Sequence, residues 1–340
     1  MSATTIKLQP PYLLFLGDVS NPVNAKTGIG IAHWASKRCA GQLRFADCPV
    51  DTGLPDLDVA GAIAAGVRTA IVGVAPVGGL LQDNWLPPLI ELSRAGVDIA
   101  SGLHSRLTDL PELVDAAQAG GARLIDVRVP PSNLPCGSGR RRSGRRVLTV
   151  GTDCAVGKKY TALALHRELA GRGTDTTFRA TGQTGIMIAG EGIPIDAMVA
   201  DFVSGAAEVL SPENAEDHWD VIEGQGSLFH PSYAGVTLGL VHGSQPDALV
   251  LCHEAGRDTI HEVGGHFPIP SLDIVMDTYL SAARLTNPDC IVTGISVNTT
   301  SLDSASRDDY LESLRDLHGV PAEDPIATGV RGIVDRLLGI

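Results

Sequence analysis

Short aliphatic runs alternate with amphipathic stretches along the whole chain. In the first part, "YLLFLGD" (12–18), "TAIVGVA" (69–75), "VDIASGL" (97–103) and "RLIDVRV" (123–129) have the continuous apolar character of strands buried on both faces. Between them, "DVAGAIAAG" (58–66), "WLPPLIELSRAG" (85–96) and "LPELVDAAQAGG" (110–121) show helical spacing and stop at glycine. A second series starts with "RVLTVG" (146–151) and adds strands at 176–182, 219–226, 248–256 and 290–299. Its predicted helices cover 160–173, 194–210 and 307–319. Strand–helix alternation at this spacing predicts parallel, doubly wound sheets. Separating the two series is "PPSNLPCGSGRRRSGRR" (130–146), with three Pro, three Gly and five Arg. It cannot build a core and reads as a linker, a solvated connector unless one or two arginines reach a cofactor phosphate. The expectation is an α/β protein of two doubly wound domains, 1–129 and 147–340, joined by 130–146.

Composition sharpens this picture. Of 340 residues, 44% are apolar but only 4% aromatic, so the cores must be aliphatic. Lys and Arg total 26 against 39 acids, a net charge of −13. Such a body repels nucleic acid and anionic membrane, and an anionic ligand needs a local nest of positive groups. The six cysteines (39, 48, 136, 154, 252, 290) form no CxxC pair and suit reduced core thiols of a cytoplasmic protein. The start, "MSATTIKLQPP", has no apolar signal region, and no run approaches the ~20 apolar residues of a membrane span.

The strongest chemical signal is "VLTVGTDCAVGKKYTALAL" (147–165). Strand, glycine-rich turn and helix in that order converge backbone N–H groups and a helix N-terminus on one point, where an anion binds. The loop is Gly151, Thr152, Asp153, Cys154, Ala155, Val156, Gly157 and Lys158. Lys158 supplies a mobile full charge. The next residue is Lys159, where nucleotide hydrolases and kinases place the Ser or Thr that ligates Mg²⁺. Thr161 is a poor substitute. The loop is therefore expected to hold a phosphate-bearing molecule without cutting a phosphoanhydride; coenzyme A, whose phosphates lie far from its reactive end, fits.

Polar residues collect where strands end, the edge at which open α/β sheets present ligands. Arg179, Thr181, Gln183 and Thr184 follow one strand; Glu223, Gln225, Ser227, His230 and Tyr233 another; His253, Glu254 and Arg257 a third; Asn298 and Thr299 a fourth. A carboxylate such as Glu223 ending an apolar strand needs a partner or a job. Asp201 lies on a predicted helix facing this side. In the first domain Lys26, Thr27, His104 and Arg106 are loop candidates, while Gly28-x-Gly30 makes a weak dinucleotide fingerprint. His261 and His266 flank glycines without metal-ligand spacing, and no metal is expected.

"VGTDCAVGKKYTALAL", "ATGQTGIMIAG", "VADFVSGAAE", "EGQGSLFHPSYAGVTLGLVHGSQPDALVLCHE" and "LTNPD", with "YLLFLGD", "DIASGLHSRL" and "RLIDVRVP", resemble a family catalogued as a domain of unknown function. That family joins a Rossmann-like N-terminal domain to a P-loop NTPase-like domain similar to dethiobiotin synthetase. The resemblance implies an N-acetyltransferase that moves the acetyl group of acetyl-CoA to D-glutamate in a route of D-glutamate catabolism. It implies no nucleic acid, membrane or metal partner.

On that reading residues 151–159 and Asn298 hold acetyl-CoA. Glu223 is the base, with Asp201 and His230 as rivals, and backbone N–H groups of 224–227 receive the oxyanion. Arg179, Gln183, Ser227, His253, Arg257, Lys26, His104 and Arg106 form the pool that contacts the amino acid. A homodimer is expected from the apolar stretch 243–253. The alternative is an ATP- and Mg²⁺-dependent ligase or kinase of the dethiobiotin synthetase type, with Asp201 and Glu223 on the metal.

Overall fold

A computed structural model describes residues 5–76, 78–261, 263 and 267–339; His266 and the first four residues lie outside them. The chain forms two compact units. One contains Thr4–Pro131 and Gln183–Ala197, the other Ser132–Gly182 and Met198–Ile340.

In the first unit the strands are β1 (Ile6–Lys7), β2 (Tyr12–Gly17), β3 (Cys39–Arg44), β4 (Thr69–Val72), β5 (Asp98–Ser101) and β6 (Leu124–Asp126). Its helices are α1 (Lys26–Trp34), α2 (Val59–Ala64), α3 (Leu86–Arg94) and α4 (Pro111–Gly120). The parallel sheet runs β3-β2-β4-β5-β6. Every residue of β2 and β4 is buried, as the aliphatic runs predict. Phe15 and Trp85 meet edge to face at 5.9 Å in the core.

Chain order continues with β7 (Arg145–Gly151), α5 (Lys158–Gly171) and β8 (Thr176–Arg179). Next come α6 (Gln183–Ala189) and β9 (Glu191–Gly192), which belong to the first unit, where β9 pairs antiparallel with β1. The remaining elements are α7 (Ala200–Leu210), β10 (Trp219–Ile222), α8 (Ala234–Ser244), β11 (Ala248–Glu254), α9 (Leu272–Ala283), β12 (Ile291–Asn298), α10 (Ser304–His318), β13 (Ala322–Glu323) and α11 (Arg331–Leu338). They complete a parallel sheet of order β13-β12-β11-β7-β10-β8. The chain winds first to one side of β7 and then to the other. This switch point is where such sheets open a crevice, and the glycine-rich loop leaves β7 there.

Three expectations need correction. The helix predicted over 194–210 begins only at Ala200, after a short 3-10 turn at Ile195–Ala197, because Val199 is extended. The stretch 130–146 is exposed over most of its length but is not solvated throughout: Arg142 and Arg146 are 9% and 3% exposed, and Gly205 has no room for a Cβ against the carbonyl of Pro135. The apolar stretch 243–253 offers no edge for a dimer, since β11 lies between β7 and β12 and is buried almost throughout. Of the six free cysteines, Cys48, Cys252 and Cys290 are core thiols, whereas Cys136 is exposed.

Candidate active site

β7 delivers Gly151 to the sheet edge, and Thr152 N–H extends the pairing by donating to the Cys252 carbonyl at 3.0 Å. The chain then turns through two left-handed residues, Ala155 (φ 56°) and Gly157 (φ 100°), before α5 starts. Alternation of this kind makes successive N–H groups converge. Among the described residues the amides of Ala155, Val156 and Gly157 have no partner. Lys158 opens α5, is 7% exposed, and donates through Nζ to the Asp153 carbonyl at 2.7 Å. Burial pushes its pKa below the usual lysine value.

Several expected ligand contacts turn out to build this loop. Asp153 is fully buried; its Oδ1 accepts from Cys154 N–H at 2.6 Å, and its Oδ2 accepts from Arg257 Nη1 at 3.1 Å and His261 N–H at 2.8 Å. Arg257 also donates to the Cys154 carbonyl at 2.8 Å and to Glu254 at 2.5 Å. It therefore clamps the loop. His253 pairs through Nδ1 with the Thr152 hydroxyl at 3.2 Å. Burial, then the neighbouring Arg257, pushes its pKa down to about 4, so the ring is neutral at pH 7. Ser227, fully buried, donates to the Thr152 carbonyl at 3.0 Å. His253 and Ser227 thus support the cradle from behind.

Tyr279 was not foreseen. Its hydroxyl donates to the Gly151 carbonyl at 2.8 Å and accepts from Leu228 N–H at 3.1 Å. A lone tyrosine on a helix 128 residues from its partner carries no sequence signal.

The hydroxyl that would hold a magnesium nucleotide is absent in geometry as well as in sequence. Thr161 is 1% exposed, donates to the Gly157 carbonyl at 3.1 Å and meets Ser296 Oγ at 2.8 Å, which occupies it inside the helix–sheet packing. Lys159 Nζ lies 4.7 Å from the Tyr160 ring centroid.

Beside the loop, ligand atoms of Asp153, Cys154 and His230 lie within 4.8 Å of one another. His230 Nδ1 accepts from Ser232 N–H at 3.1 Å. With Nδ1 accepting, the neutral ring carries its proton on Nε2 and presents a donor there. The same bond works against a metal on Nε2, and Asp153 already serves three donors.

Glu223 lies just beyond β10 and is 3% exposed. Its Oε2 accepts from Thr181 N–H at 3.0 Å and Gly182 N–H at 3.2 Å, while Thr181 Oγ1 donates to its carbonyl at 2.7 Å. Gly224 approaches the Thr149 carbonyl so closely that a Cβ would lie 1.7 Å from it. Its N–H is engaged by Thr149 Oγ1 at 2.9 Å, which removes it from the expected oxyanion donors. The amides of Gln225, Gly226 and Ser227 have no partner among the described residues.

Other candidates fall outside this cluster. Asp201 is exposed in the first turn of α7, where an acid complements the helix dipole, and no hydrogen bond among the described residues ties it to the loop. Arg179 turns back along β8 to pair with buried Asp220 at 2.6 Å, which also meets His218 at 3.2 Å. It is a structural cation. Asn298 ends β12 and accepts from Thr300 N–H at 3.2 Å. Lys26, His104 and Arg106 are exposed and Gln183 is partly buried, all in the unit of the first sheet.

The family catalogued as domain of unknown function DUF1611 matches twice: its P-loop domain over residues 135–334 and its Rossmann-like N-terminal domain over 39–130. A protein named D-glutamate N-acetyltransferase from Tritonibacter scottomollicae is 47% identical over 333 residues, covering 98% of this chain and all of that one. A second of that name, from a Pseudoalteromonas species, is 46% identical over 332 residues with the same coverage. The crystal structure of a DUF1611 family protein from Anabaena variabilis superposes with a TM-score of 0.79 at 32% identity, covering 98% of this chain and 99% of that one. Over nearly its whole length, with a Rossmann-like unit and a P-loop unit, the chain belongs to the DUF1611 family.

Proposed function

We propose that this chain is a cytoplasmic N-acetyltransferase of D-glutamate catabolism, moving the acetyl group of acetyl-CoA to the amine of D-glutamate and releasing CoA and N-acetyl-D-glutamate. The observation that carries the reading is a phosphate cradle with unpartnered amides at Ala155, Val156 and Gly157 whose would-be metal hydroxyl is Lys159. Such a cradle grips phosphates as a handle and lacks the part that helps to cleave them. The names of relatives at 46–47% identity supply the reaction class and the substrate.

In this mechanism the loop 151–158, with Lys159 and Asn298, holds the CoA phosphates. Glu223 takes the proton from the substrate ammonium, and its Oε2 is fixed by Thr181 and Gly182 so that the carboxylate is oriented before substrate arrives. The freed amine attacks the thioester carbonyl. Amides of Gln225, Gly226 and Ser227 are donors for the oxyanion. As the adduct collapses the carbon–sulfur bond breaks, the second proton of the attacking nitrogen passes to the departing CoA thiolate, and the proton held by Glu223 returns to solvent.

The decisive experiment follows thiol release from acetyl-CoA with D-glutamate, L-glutamate or neither, in EDTA and in Mg²⁺. Thiol and N-acetyl-D-glutamate appearing in equal amounts regardless of Mg²⁺ is the expected result. Magnesium-dependent ADP release from ATP, with acetyl-CoA left intact, would replace the proposal with a ligase or kinase of the dethiobiotin synthetase type.

A further inference from the structure

At the other end of the P-loop sheet, where β7, β11 and β12 begin, lies a cavity of about 520 Å³. Its wall includes Arg141, Arg142, Arg145 and Arg146, together with Gln245 and Asn287, and the acids Glu216, Asp247 and Asp289. β7 separates it from the phosphate loop by seven residues, roughly 20 Å of strand.

Arg142 and Arg146 are over nine-tenths buried, yet their guanidinium groups are incompletely met. Arg142 Nη2 donates to the carbonyls of Gly243 at 2.8 Å and Ser244 at 3.2 Å, which caps the end of α8. Among the described residues its Nε and Nη1 have no hydrogen-bond partner, nor has Nε of Arg146, and Gln245 Oε1 is an unmatched acceptor. An N–H left without a partner in a buried site costs about 1–3 kcal/mol, more when charged.

The surrounding acids do not close this account. Glu208 lies 4.0 Å from Arg142 Nη1, but its two oxygens already accept from Ser138 N–H, Ser138 Oγ and Gly139 N–H. Asp247 accepts from Arg146 N–H and from Asn287. Asp289 is at the rim, 81% exposed, 4.0 Å from Arg141. Burial and the proximity of Arg146 pull the Arg142 pKa down to about 10, as expected of a guanidinium whose charge is under-compensated.

We infer that this cavity is a second anion site, taking the oxyanion of a small phosphate- or carboxylate-bearing molecule on Arg142 and Arg146, with a hydroxyl of the ligand meeting Gln245. The site is independent of the acetyltransferase reading. It makes the −13 chain bind anions at two separated places, one of them with no part in the chemistry.

Peptide-resolved hydrogen exchange on the full-length protein tests it. Inorganic phosphate, glycerol 3-phosphate and citrate are titrated against sodium chloride at matched ionic strength. The expected result is saturable protection of 139–147 and 245–248, half-maximal at roughly 1 mM or below, separate from protection of 151–160. Preference for the phosphate compounds or for citrate assigns the ligand class. Arg142→Met or Arg146→Met is expected to weaken the protection about tenfold or more. Should these variants not fold, Arg141→Ala at the exposed rim is expected to weaken it about threefold. Protection that chloride reproduces, that never saturates, or that survives every folded variant unchanged overturns the proposal, and buried water then meets the orphan groups.

Discussion

The ammonium of Lys158 lies 2.7 Å from the carbonyl oxygen of Asp153, inside the loop that it serves. The cation is held by backbone while burial disfavours its charge, so a phosphate entering the cradle gains both a partner and the relief of that burial. Lys158→Ala is predicted to raise the Kd for acetyl-CoA about tenfold to a hundredfold by calorimetry, with the fold intact by circular dichroism. An unchanged Kd would remove the loop from cofactor binding.

Glu223→Gln keeps a carbonyl oxygen for Thr181 and Gly182 and keeps the shape, but loses the base. We predict a fall in kcat of about 10²-fold or more with KM for acetyl-CoA within about twofold. Full turnover by this variant would eliminate Glu223 from proton transfer.

His253 gives a pH prediction. Its folded pKa of about 4 lies below the ordinary histidine value, so the unfolded chain binds the proton more readily. Its contribution to stability is complete above about pH 6.5 and is lost as pH falls toward 4. The size is about 3 kcal/mol on the scale of 1.36 kcal/mol per unit. His253→Gln, which can still bond to Thr152, is predicted to lose that much less between pH 7 and pH 4 in urea titrations. Parallel curves for the two proteins would contradict the assignment.

Ala155 occupies the left-handed region without being glycine. Ala155→Gly is predicted to change stability by no more than about 1 kcal/mol, since relief of the left-handed penalty is offset by chain entropy. Ala155→Val is predicted to cost about 1–3 kcal/mol and to weaken acetyl-CoA binding, because a branched side chain resists this φ and splays the converging amides. Equal affinity in both variants would show that the nest is not the binding element.

Much of the fold is legible because strands of parallel sheets, buried on both faces, must be aliphatic: β2, β4, β7 and β11 all stand out as runs. β3 does not, because Gln42 sits fully buried in its middle, meeting Asp51, Asp56 and Thr52 in an internal polar knot. In the candidate site, the glycine-rich loop and a buried, partnered carboxylate at Glu223 are legible from local order. Which cation faces ligand is not: Arg179 finds Asp220 41 residues away and Arg257 finds Asp153 104 residues away. An arginine that clamps a loop and one that clamps a substrate are the same letter at the same strand end. The same holds for Arg142: composition marks a flexible connector, while its side chain is buried against the end of α8 at Gly243 and Ser244.

Residues 183–197 give β1 its only pairing strand among the described residues and place α6 against α1, with Arg38 donating to the Ala189 carbonyl. A gene divided in the arginine-rich stretch would therefore strand this stitch on the wrong fragment. The front piece would lack a helix and a strand of its own unit, and the rear piece would carry them as an ownerless arm. The two pieces suit fragment complementation rather than separate purification, and any graft of the first unit onto another enzyme must import two stretches of chain.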